Sequence, residues 1–121
     1  MLDLIIKNGK CYIEGELKDV DVAIQDGKIH KIGEISEEAK EIINAEGQTV
    51  LPGCIDTQTH FREPGSTDTE DLHSGSRAAI VGGITSVFEM PNTNPPTSTK
   101  VEFQKKLNLA KNRMYCNYAF Y

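Results

Sequence analysis

The chain has 121 residues with a formal net charge of −5, 38% hydrophobic and 26% charged residues. That balance suits a globular protein and excludes disordered and fibrous classes, while the acidic charge and lack of a Lys/Arg cluster argue against a nucleic-acid surface. No apolar run approaches the roughly 20 residues a membrane helix needs, and the start, MLDLIIKNGK, lacks the features of a signal peptide.

Three cysteines, Cys11, Cys54 and Cys116, are odd in number and widely spaced. They suggest buried free thiols in a reducing compartment rather than a disulfide framework or metal knuckle, and hence a cytoplasmic protein.

Residues 1–51 read as short strands. "LDLIIKNGKCYI" places two apolar stretches around Asn8-Gly9, a hairpin dipeptide, and "DVDVAIQDGKIHKIG" repeats the design around Asp26-Gly27. "EISEEAKE" reads as an exposed connection with at most one helical turn, and "EIINAEGQTVLPG" as a returning strand. Such a unit is too small to hold a large core alone.

From Pro52 the pattern changes. "CIDTQTHF" reads as a strand, and Asp68 is a candidate N-cap for a helix from about Glu70 to Val81 with a small-residue face of Gly75, Ser76 and Ala79. Gly82-Gly83 ends that helix, "ITSVFEM" is the second strand, and the prolines of "PNTNPPTS" dictate a loop. Thr99 to Glu102 has the form of a capping box, opening a helix whose core stripe is Phe103, Leu107, Ala110 and Met114. "MYCNYAFY" is a third strand. Alternating strands and helices with short connections predict an α/β class with a parallel sheet, whose functional residues gather at the C-terminal strand ends. A (β/α)₈ barrel takes about 250 residues. With so much less chain after Pro52, ending within a strand pattern, the expectation is the front of a longer barrel enzyme, not a small open sheet.

The candidate chemistry lies at those strand ends. Asp56, Gln58 and His60 occupy alternate positions, which on a regular strand share one face. His60 is a candidate zinc ligand, the alternative being a hydrogen-bonded structural histidine. Gln58 offers only an amide oxygen, a poor zinc donor. Arg62 is placed to clamp a carboxylate, or else pairs with Glu63 or Asp68 at the surface. Asn92, in "EMPNTNP", reaches the same region or simply shapes a turn. His30 and His73 read as solvated or packing residues.

"PGCIDTQTHFREPG", "EDLHSGSRAAIVGGITSVFEMPNTNP" and the β-rich front together resemble the dihydroorotases of the amidohydrolase superfamily along essentially the whole chain. The pair "HFREPG" and "MPNTNP" carries the specific likeness; allantoinases and dihydropyrimidinases, which share the plan, are expected to differ in both segments. The resemblance implies that residues 1–51 are strands of a small β-sandwich domain, and residues 52–121 the first β/α units of a (β/α)₈ metal-dependent barrel. His60 matches the second histidine of the family's HxH metal motif, while Gln58 stands where the first is expected. Arg62 and Asn92 match the residues that hold the substrate carboxylate, and Asp56 matches a supporting aspartate.

The implied activity is zinc-dependent interconversion of dihydroorotate and N-carbamoyl-aspartate in pyrimidine synthesis. One or two zinc ions serve the complete enzyme, whose remaining ligands and catalytic aspartate match nothing in this chain. The implied partners are a second copy of the chain and aspartate transcarbamoylase, which some members bind. Three other readings are open. They are a catalytically silent scaffold made so by Gln58, a cyclic amidohydrolase of the allantoinase or dihydropyrimidinase type, and a small self-contained binding module. By itself the chain is expected to be inactive, because an unclosed barrel leaves a sheet edge and inner strand faces without partners.

Overall fold

The computed structural model describes residues 1–121, which form two compact units, Met1–Pro52 and Gly53–Tyr121. No helix in it is long and apolar enough to cross a membrane.

The first unit is all strand: β1 (Leu2–Lys7), β2 (Lys10–Ile13), β3 (Glu16–Asp19), β4 (Asp21–Gln25), β5 (Lys28–Gly33), β6 (Ala39–Asn44) and β7 (Thr49–Val50). These make a four-stranded sheet ordered β5-β4-β1-β6 and a three-stranded sheet ordered β3-β2-β7. Asp26-Gly27 closes the β4–β5 hairpin with φ of 52° and 70°, the doubly positive turn that matches strand twist. Asn8-Gly9 does not close a hairpin. β1 pairs with β4 and β6 while β2 pairs with β3 and β7, so the chain changes sheets at this dipeptide. The requirement there is space: a Cβ on Gly9 would stand 2.7 Å from a Val50 methyl. The tight turn from β2 falls instead at Glu14-Gly15, φ 53° and 90°. The acidic connection contains no helix, and its one buried residue, Ile35, joins Leu2, Ile5 and Ala23 in a small core.

The second unit runs β8 (Cys54–Thr59), α1 (Leu72–Val81), β9 (Ile84–Glu89), α2 (Lys100–Ala110), β10 (Asn117–Phe120). Its three strands are parallel, in the order β10-β9-β8. Phe61, Leu72, Ala79, Val87, Ala110 and Cys116 form its core. Gly75, Ser76 and Ala79 of α1 are buried, and Gly75 is obligatory, since a Cβ there would meet the Phe61 ring at 2.3 Å. The N-cap of α1 is Asp71, not Asp68. Asp71 accepts from the Ser74 N–H at 2.6 Å and Ser74 Oγ accepts from the Asp71 N–H at 3.1 Å, a reciprocal box available only at this spacing.

Thr99 caps α2 by accepting from the Glu102 N–H, while the Glu102 carboxylate turns to Lys105 instead of closing the box. The α2 stripe also differs from expectation. Its fully buried positions are Ala110 and Lys106, with Phe103 and Leu107 only half-buried and Met114 beyond the helix end. Of the cysteines, Cys11 and Cys116 are buried but Cys54 is exposed at the start of β8.

Candidate active site

The strand face predicted for Asp56, Gln58 and His60 is broken by a bulge. Asp56 pairs with Val87 and Thr59 with Glu89, so three steps along β8 match two along β9. Thr57 and Gln58 are consequently both exposed, and the two-residue alternation does not carry from Asp56 to His60. Asp56 serves the bulge directly: its carboxylate accepts the Gln58 backbone N–H at 2.9 Å, a local bond characteristic of aspartate two residues upstream. The Gln58 side chain is free of internal hydrogen bonds.

Beyond β8 the chain places His60 beside the end of β9. His60 Nδ1 lies 2.8 Å from Asn92 Oδ1, bringing together two of the candidate residues from segments 32 positions apart. Neither Asp56 nor Arg62 joins that contact.

Arg62 is exposed, with φ of 64°, in the left-handed region that costs a side-chain-bearing residue about 1–3 kcal/mol. Its guanidinium pairs with neither Glu63 nor Asp68. Both neighbours of Arg62 are anchored. The Phe61 N–H donates to Glu89 Oε1 at 3.0 Å, and Glu89, itself buried, forms an ion pair with the fully buried Lys106. Lys106 also donates to the Met90 carbonyl at 3.0 Å and stands 5.1 Å over the Phe120 ring. On the other side, Glu63 receives both guanidinium nitrogens of Arg113, at 2.8 and 3.0 Å, and the Leu72 N–H at 2.9 Å. The Glu63 hydrogen bonds hold the Arg113 pKa above its ordinary value. Arg62 is therefore presented outward from a backbone fixed by two buried carboxylates.

The loop after β9 packs on this segment. Asn94 donates its N–H to the Pro64 carbonyl at 2.9 Å, and a Cβ on Gly65 would lie 2.7 Å from the Asn94 Cβ. Gly65 also has φ of 119°, so the loop contact and the conformation both require glycine.

Sequence reasoning missed these anchors. Lys106 carried a signal, since it lies three residues after Phe103 and four before Ala110 on an otherwise apolar stripe. Glu89 is likewise two residues past the buried Val87 on the same strand face. Glu63 and Arg113 carried none, being 50 residues apart. His73 lies away from the strand ends, its Nε2 3.2 Å from the Tyr115 hydroxyl, and His30 is exposed.

As a metal donor, His60 fits. Its Nδ1 is occupied by Asn92, and a second ring nitrogen remains for an ion. Asp56 is engaged at Gln58, and no three His, Cys, Asp or Glu side chains converge as a metal site. Of the candidate donors at the strand ends, His60 is thus the one with a nitrogen not engaged within the chain.

The model of the amidohydrolase family matches residues 49–121. An allantoinase of Salmonella choleraesuis is 46% identical over 113 residues, covering 93% of this chain and 25% of the relative; one of Escherichia coli is 43% identical over the same span. Among solved structures, an L-hydantoinase (dihydropyrimidinase) from Arthrobacter aurescens superposes with a TM-score of 0.89 at 33% identity, covering 100% of this chain and 28% of that one. A zinc-containing N-acyl-D-glutamate deacylase from Bordetella bronchiseptica, bound to a phosphonate inhibitor, aligns with a TM-score of 0.54 at 28% identity, covering 73% of this chain and 18% of its own. The chain spans about a quarter of the length of the curated relatives it matches.

Proposed function

The chain belongs to the amidohydrolase family, and from that membership we propose that it is the front of a zinc-dependent cyclic amide hydrolase of the dihydroorotase type. In this reading residues 1–51 belong to a small β-sandwich domain, and residues 52–121 are the first β/α units of a (β/α)₈ barrel completed by further chain. The likeness to a hydantoinase along the whole chain supports that division.

Arg62 carries the substrate assignment. It is an exposed guanidinium with no internal partner, held in a left-handed conformation between Phe61 and Glu63, whose fixed positions prevent it from relaxing. Such a side chain matches a carboxylate in bidentate fashion. Asn92 stands with His60 at the strand ends, where the Asn92 amide donates to the same carboxylate. Binding the remote anionic group would fix the ring's orientation at the strand ends. His60 supplies one imidazole to that site. An ion held by His60 and further ligands would supply an activated water and Lewis-acid polarisation of a carbonyl. Gln58 contributes at most an amide oxygen, so the ion relies on His60 and on ligands from later strands.

A second reading is ring opening of allantoin, favoured by the 46% identity to an allantoinase over 113 residues. Parallel assays decide between them. A longer chain carrying this sequence, supplied with zinc, is expected to open dihydroorotate in preference to allantoin. Preference for allantoin would replace the first reading with the second. Absence of turnover on both, by folded protein with zinc available, would identify a silent homologue.

A further inference from the structure

The contact between His60 and Asn92 constrains more than position. A neutral imidazole carries one N–H and one bare nitrogen, and the hydrogen bond made by one nitrogen decides the state of the other. Nδ1 faces the Asn92 carbonyl oxygen at 2.8 Å, and that oxygen can only accept. The proton therefore sits on Nδ1, leaving Nε2 with the bare lone pair that metal coordination demands. At the other end of the amide, Asn92 Nδ2 has no hydrogen bond within the chain, and the residue is exposed.

We propose that Asn92 is a positioning residue for His60: its Oδ1 locks the imidazole in the Nδ1–H tautomer, which leaves Nε2 as the metal-binding nitrogen.

Ring-nitrogen NMR of ¹⁵N-histidine-labelled, metal-free protein, at a pH above imidazole titration, reads the proton's position on His60. Wild type is expected to carry it on Nδ1. Asn92→Asp keeps an acceptor and should keep that tautomer. Asn92→Leu has none and should revert to the mixed population of a free imidazole. Zinc affinity, measured with Zn²⁺ alone, should follow the same order, with Asn92→Leu about 10–100-fold weaker and Asn92→Asp close to wild type. A wild-type proton on Nε2, with the amide nitrogen donating to Nδ1, would overturn the proposal. So would an Asn92→Leu protein with wild-type tautomer and zinc affinity.

Discussion

Lys106→Met is the substitution whose consequence the structure fixes most tightly. Lys106 and Glu89 are 0% and 1% exposed. Removing the ammonium deletes the ion contact, the bond to the Met90 carbonyl and the cation above Phe120. Methionine fills nearly the same volume, so the cavity contribution is small. What dominates is the carboxylate left behind. Glu89 Oε1 keeps the Phe61 N–H, but Oε2 has no hydrogen bond beyond its ion contact with Lys106. Breaking a buried pair from one side costs about 3–5 kcal/mol, a large part of the roughly 5–15 kcal/mol that holds a domain folded. The double variant Lys106→Met/Glu89→Gln removes the stranded charge and keeps an acceptor for Phe61. It should recover to within about 1.5 kcal/mol of wild type, because replacing a buried ion pair outright is often near neutral. Urea unfolding followed by circular dichroism, with the slope checked for constancy, measures both. A single variant within about 1 kcal/mol of wild type, or a double variant as damaged as the single, would refute the reasoning.

Arg62→Gly should act oppositely on stability and binding: relief of the left-handed conformation stabilises the fold by about 1 kcal/mol, while carboxylate binding, read by calorimetry with dihydroorotate, is lost. Gly75→Ala drives a methyl into the Phe61 ring and should cost about 1–3 kcal/mol in urea unfolding, with shifted His60 resonances because Phe61 adjoins it. The Asp71 carboxylate, with its pKa lowered chiefly by the Ser74 backbone N–H, stabilises α1 fully above its unfolded pKa of about 3.9 and loses that contribution as pH falls through the lower folded value. The thermal midpoint of Asp71→Ala should therefore trail wild type at neutral pH, and the gap should narrow on acidification below about pH 4.

The alternation of strand and helix after Pro52 was legible because each element carries its own period and its own cap. So was the small-residue face of α1, where Gly75 must admit Phe61. Features set by distant partners were not. Asn8-Gly9 has hairpin composition, yet the strands around it belong to different sheets, a choice made by β4, β6 and β7. The N-cap moved from Asp68 to Asp71 because Ser74, three residues on, completes a box. At the candidate site, the strand-end positions of His60 and Asn92 foretold that the two would lie near one another. The bulge at Thr57–Gln58 could not be foretold, because nothing local distinguishes it from regular strand. Nor could the pairing of Glu63 with Arg113, which lie 50 residues apart.

The proposed substrate rests on carboxylate recognition by Arg62, and comparing two rings that differ only in that group tests it most directly. We would measure kcat/KM for dihydroorotate and for dihydrouracil, which lacks the carboxylate, using zinc-supplied, full-length protein carrying this sequence, as wild type and as Arg62→Ala. Charge-assisted hydrogen bonds worth about 1.5–3 kcal/mol predict that wild type favours dihydroorotate and that Arg62→Ala loses roughly 10- to 150-fold on it, with dihydrouracil turnover little changed. Equal losses on both rings, or no preference in wild type, would contradict the account.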